Sequence, residues 1–98
     1  MEIISTKNGQ NLDIALAGRL DTTTAPQLEG HLRDNLAEIS ELTLDFTKLE
    51  YISSAGLRVL LGAQKIMNKQ GKMVIKNVCA DIMEVFDITG FSDILTIE

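Results

Sequence analysis

The alternation of apolar and polar positions changes period several times along this chain, and each change marks an element. Residues 2–7 (EIISTK) and 11–17 (NLDIALA) read as two strands. In the second, Leu12, Ile14 and Leu16 alternate with Asn11, Asp13 and Ala15, which predicts one buried face. Asn8-Gly9 between them predicts a hairpin, because a tight turn needs a positive φ that these residues tolerate. From residue 18 the period lengthens. Leu28, Leu32, Leu36 and Ile39 recur at helical spacing and form one stripe. Pro26 suits the first helical turn, where its missing N–H is not needed, and Thr23 or Thr24 can cap. His31 falls off the stripe and is expected to face solvent.

ELTLDF (41–46) predicts a third strand, followed by a helix from Ser54 to Gln70 ended by Gly71. KMVIKNV (72–78) returns as a strand. ADIMEVFDITG places Ile82, Val85 and Phe86 on one face with Gly90 past the end, the pattern of a short helix closed by glycine. DILTIE (93–98) reads as a last strand. The order β-β-α-β-α-β-α-β predicts an α/β fold with a mixed, mostly parallel sheet, right-handed crossovers and helices packed on it. With 98 residues and no linker or repeat, residues 1–98 are expected to form one domain.

The junction between the third strand and the second helix reads Tyr51-Ile52-Ser53-Ser54-Ala55-Gly56-Leu57. Either serine can cap. If Ser54 caps, its oxygen accepts from Gly56 or Leu57; if Ser53 caps, Ser54 sits in the first turn with its hydroxyl exposed. Gly56 weakens a helix by up to about 1 kcal/mol relative to alanine, so it implies either close packing or close approach of a partner. Gly62 is expected to pack tightly on a neighbouring helix or the sheet. At about 100° per residue, Val59, Leu60, Ala63, Ile66 and Met67 share one arc, the expected core face. Arg58, Lys65 and Lys69 lie opposite. Leu57 and Leu61 fall at the edge, as the margin of a broad core stripe or as a small apolar contact patch.

Composition narrows the partners. Nine basic residues against fourteen acidic give a net charge of −5, and the basic ones are scattered singly. Binding to phosphate backbones needs a dense cationic face, so nucleic acid is a poor partner, and anionic lipid equally so. Cys79 is the only cysteine and fits a reducing compartment. The N-terminus has no secretory pattern, and no apolar run approaches the roughly 20 residues that span a bilayer, so a soluble cytoplasmic domain is expected. No His/Cys cluster suggests a metal, and no GxxxxGK[ST] loop suggests a nucleotide; no cofactor is expected. Hydrolytic chemistry at the serines is disfavoured, because there is no G-x-S-x-G elbow and the sole histidine sits on the first helix.

GRLDTTTA (18–25) and LDFTKLEYISSAGL (44–57), in this element order, resemble the STAS domain of bacterial anti-sigma factor antagonists, and the likeness covers nearly the whole chain. The resemblance implies a switch. In that family a serine at the start of the second helix is phosphorylated by the anti-sigma factor, which is also a protein kinase. The usual local pattern is Asp-Ser-Ser/Thr-Gly-Leu. Laying Gly56-Leu57 on its Gly-Leu assigns Ser54 as the phosphate acceptor, with Ser53 in place of the aspartate and as the secondary candidate. Arg58 stands where the family often has a small residue.

The resemblance further implies that the unmodified protein binds the anti-sigma factor through Ser53, Ser54, Gly56, Leu57, Arg58 and Leu61. Asp21 and Thr22 would border that surface. Binding would free a sigma factor, and phosphorylation would release the partner, with a phosphatase as a candidate second partner. Intrinsic catalysis is not expected. The alternative within the same fold is an accessory subunit of an ATP-driven lipid transporter.

Overall fold

The computed structural model describes all 98 residues. Strands β1 (Glu2–Asn8), β2 (Asn11–Leu20), β3 (Glu41–Ile52) and β4 (Lys72–Lys76) form one sheet in the order β1-β2-β3-β4. Helices α1 (Ala25–Asn35), α2 (Ser54–Gln70) and α3 (Ala80–Thr89) follow β2, β3 and β4. The β1–β2 pair is antiparallel, while β2–β3 and β3–β4 are parallel. The expected mixed α/β sheet and the order of its first seven elements are borne out.

The hairpin pairs Asn8 with Asn11, so the loop is Gly9-Gln10 and Gly9 alone carries the positive φ, at 63°. On β2 the expected face is buried: Leu12, Ile14, Leu16 and Leu20. They join Leu42, Leu44, Phe46, Leu49 and Ile52 of β3 and the inward residues of all three helices in one apolar cluster. The helices therefore gather on one face of the sheet. The other face, with Asp13, Thr43, Asp45 and Lys76, is open.

Several elements differ from expectation, each for a physical reason. β3 runs to Ile52 rather than 46, because two register shifts against β2 let Leu49 and Ile52 turn inward at a spacing of three. β2 likewise extends to Leu20, through Gly18 at φ 98°. β4 stops at Lys76, where Asn77 turns at φ 60°.

Helix α1 ends at Asn35, with Leu36 at its C-cap and Glu38 at φ 66°, so Ile39 is buried from a turn rather than from the helix stripe. His31 is not a solvent-facing side chain. It is half-buried, and its Nε2 is enclosed without a hydrogen-bond partner. The closing segment is not a strand. Phe91–Asp93 form a 3₁₀ turn, Leu95 enters the core, and the chain meets the sheet in the single parallel bridge Ile75–Ile97. There the N–H of Ile75 donates to Thr96 and that of Glu98 to Ile75, both at 2.9 Å.

Helix α2 is rotated relative to the expected arc. Val59, Leu60, Ala63 and Met67 are buried as expected, but Leu57 and Gln64 are buried with them and Ile66 is 44% exposed. The Gln64 amide nitrogen donates to Asn68 Oδ1 at 2.8 Å, while its oxygen is enclosed without a partner. Gly62 is exposed and packs on nothing: a Cβ built there meets no atom within 4 Å. No helix is long and apolar enough to cross a membrane.

Candidate functional site

Two loops meet at the carboxyl ends of β2 and β3. Leu20 pairs with Ile52, and the N–H of Ser53 donates to the Leu20 carbonyl at 2.9 Å. The parallel pairing thus brings the start of the Asp21–Thr24 loop beside the start of α2. The carboxyl end of a parallel sheet is where such folds expose loops and helix N-termini together.

The serine pair divides its work here. Ser53 is the N-cap: its backbone is extended, its Oγ accepts from the N–H of Gly56 at 3.4 Å, and its carbonyl accepts from Leu57 at 2.9 Å. Ser54 is the first helical residue. It is exposed, and its hydroxyl makes no hydrogen bond. The N–H groups of Ser54 and Ala55 also lack a protein acceptor, as expected of the first turn of a helix. An exposed hydroxyl therefore stands at the positive end of a seventeen-residue helix.

Asp21 organises the neighbouring loop. Its Oδ1 accepts from the hydroxyl of Thr23 at 2.7 Å and from the N–H groups of Thr23 and Thr24 at 3.0 and 3.2 Å. These bonds favour the ionised form, and the Thr23 hydroxyl is the strongest of them in holding the carboxyl below its ordinary range. Thr24 is at the N-cap of α1 but gives the helix no side-chain bond; its hydroxyl instead donates to the Arg19 carbonyl and accepts from the Asp21 N–H, both at 2.8 Å. The threonine cap expected for α1 is thus absent: the Asp21 carboxylate orders the loop ahead of the helix, and the first N–H groups of α1 donate to the backbone carbonyls of Asp21 and Thr24.

Of the other expected contact residues, Thr22 and Arg58 are exposed, and Arg58 lies one helical turn from Ser54. Leu61 is half-buried. Gly56 and Leu57, by contrast, are buried in the free domain. Leu57 is 6% exposed, within the core. A Cβ on Gly56 would lie 2.7 Å from Leu20 Cγ and 2.9 Å from Ile52 Cγ1. The glycine is required by the descent of α2 onto the strand ends. Close approach is real at this position, but the approaching groups are the domain's own.

Two residues join the site that sequence reasoning left out. Arg19 pairs with Tyr51 across β2 and β3, and its guanidinium stands 4.1 Å from the ring centroid, with Nε 3.7 Å from Asp21 Oδ2. Tyr51 is 40% exposed. Only the cross-strand register places them together, and that register lies beyond the residue where the alternation of β2 was expected to stop.

A family model described as STAS domain matches residues 2–98. The chain is 32% identical to a protein named anti-sigma-B factor antagonist from Listeria monocytogenes, over 97% of this chain and 85% of that one. It is 30% identical to a protein of the same name from Bacillus subtilis, over 93% and 84% of the two chains. The fold is shared with the Bacillus cell fate determinant SpoIIAA in its phosphorylated form, at a TM-score of 0.77 and 17% identity, covering 99% of this chain and 91% of that one. On the family match across nearly all its length, together with these relatives, the chain belongs to the STAS domain family.

Proposed function

We propose that this domain is an anti-sigma factor antagonist controlled at Ser54. In the unmodified state it binds an anti-sigma factor that is also a serine kinase, through the surface around the α2 N-terminus, and so frees a sigma factor. Phosphorylation of Ser54 by that partner ends the association. The observation that carries this reading is the division between the two serines. Ser53 is committed to the helix cap, which leaves Ser54 as the free, exposed hydroxyl at the junction. The relatives named anti-sigma-B factor antagonist support it, as does the occurrence of this fold in a phosphorylated form.

The chemistry follows from charge. A phosphoserine adds about −1.5 to −2 charges and three acceptor oxygens. At the first turn of α2 those oxygens meet the unpaired N–H groups of Ser54 and Ala55, so the free domain accommodates them. In a closed interface the same dianion would be stripped of water without a matching cation, and release follows from that cost. The domain itself is not an enzyme in this scheme; the phosphoryl donor belongs to the partner.

Intact mass spectrometry of the protein from its native cells, with fragmentation, should place one phosphate on Ser54. Ser54→Ala should retain the partner and Ser54→Asp should lose it. Tight binding by both variants removes Ser54 from the mechanism, and copurification with an ATPase and permease instead would favour the transporter role.

A further inference from the structure

Beyond Ser54, one feature has no use inside the domain: the glycine at position 62. Helices α1 and α2 lie side by side. Ala25 and Ala55 line a common cleft at one end, and at the other the Gln70 amide donates to the carbonyls of Leu36 and Ile39, both at 2.7 Å. Between them runs a groove of about 510 Å³, floored by Leu32, Leu36, Val59 and Ala63. Gly62 lines it, exposed and mid-helix, where glycine costs about 1 kcal/mol relative to alanine. No positive φ and no close neighbour requires a glycine there. What its missing side chain does is leave a notch in the groove wall, next to the exposed Ile66.

Charge indicates the occupant. Arg33 and Arg58 line the groove and neither makes an ion pair, whereas Glu29 is its only acid. Two unpaired arginines against one acid, on a chain of net charge −5, make this groove locally positive and favour a carboxylate on the occupant. A second copy of the domain would bring its own Arg33 and Arg58 to the same place, which disfavours self-association here. The groove is also continuous with the proposed partner surface. It shares Glu29, Arg58 and Val59 with a smaller cleft, about 140 Å³ in volume, that reaches Thr22 and Ala55 beside Ser54.

We infer that the α1–α2 groove is a docking cleft for the anti-sigma factor, which inserts an apolar side chain at the Gly62 notch and sets a carboxylate against Arg33 and Arg58. This rests on the function proposed above, to which it adds the partner's chemistry and a second anchor.

Calorimetric titration of the anti-sigma factor into the 98-residue domain tests it. Gly62→Leu and Arg33→Glu should each weaken binding about tenfold or more, the scale of a lost anchor. Gly62→Leu should unfold at or above the wild-type midpoint, since the notch faces open space and leucine is the better helix former. Wild-type affinity in both variants overturns the docking cleft. If Ser54→Asp binds like wild type while Gly62→Leu does not, the phosphorylation switch falls and the cleft stands.

Naphthalene-2-sulfonate, which is apolar and anionic, provides a readout independent of any partner. Amide shifts on titration that centre on Arg33, Val59 and Gly62 and vanish in Gly62→Leu support the cleft. Scattered shifts, equal binding of a cationic naphthalene, or a dimer abolished by Gly62→Leu overturn it.

Discussion

A single oxygen of Asp21 gathers the Thr23 hydroxyl and two backbone N–H groups, and Asp45 repeats the device on the open face of the sheet. Asp45 Oδ1 accepts from the Thr47 hydroxyl at 2.6 Å, the Thr47 N–H at 2.9 Å and the Asn77 amide at 3.0 Å. The Thr47 hydroxyl is the strongest of these in lowering its pKa, followed by Asn77. Both folded pKa values lie below the ordinary value, so each carboxylate stabilises the fold above about pH 4, and that contribution disappears as pH falls through the folded value. Denaturant unfolding from pH 6 to pH 2 should show it. Asp21→Asn and Asp45→Asn should be less stable than wild type at pH 6 and converge with it at the acid end. Neither role was legible in sequence. Threonines before a helix suggest a side-chain cap, but here the Thr24 hydroxyl turns to the Arg19 carbonyl and the Asp21 carboxylate binds the loop instead, because an acceptor-only group can collect several donors at once.

At the scale of elements, the two glycines of α2 have opposite meanings. Gly56→Ala would drive a methyl into Leu20 and Ile52, and overpacking of this kind costs about 1–3 kcal/mol. Gly62→Ala meets empty space in a helical backbone and should stabilise the domain by about 0.5–1 kcal/mol. Thermal unfolding of the two variants beside wild type reads both signs; a stabilising Gly56→Ala would refute the packing given for α2. Sequence reading expected Gly62 to be the tightly packed glycine and left Gly56 between packing and partner approach, because helix propensity is identical for both. What separates them is the strand end beneath one and the groove beside the other.

The same limit explains β3. Its first half alternates and was readable. Its second half buries Leu49 and Ile52 at a spacing of three, which matches no simple strand period, because two register shifts intervene. The position of α2 was legible because a long apolar period, a cap and a terminal glycine coincide. Its rotation was not: Ile66, expected in the core, is 44% exposed, and Gln64 is buried.

For the whole molecule, one apolar cluster ties the buried face of the sheet to all three helices, so unfolding should be a single cooperative transition. A phosphate on Ser54 touches none of that cluster. Enzymatically phosphorylated domain should therefore melt at a Tm equal to or above that of the unmodified protein. A drop of about 5 °C, roughly 1 kcal/mol at this size, would mean that the switch works by loosening the domain rather than by spoiling an interface. The general architecture was open to sequence reasoning because strand and helix periods alternate along the chain. The C-terminus was not, since one bridge to Ile75 and a 3₁₀ turn leave no period to read.

The unequal lengths of β3 and β4 carry one more consequence. Glu41–Asp45 are flanked on both sides, but from Phe46 to Ile52 strand β3 keeps only β2 as a neighbour. The serine junction thus stands where the sheet narrows to a strand pair, since β1 ends its pairing at Ala17 and only β2 and β3 continue, to Leu20 and Ile52. Backbone hydrogen bonds in such a pair open at lower free energy than those in the sheet interior. What a partner meets there is a strand pair whose outer backbone edges are unshared, while Leu20, Leu49 and Ile52 keep its inner face anchored in the apolar cluster.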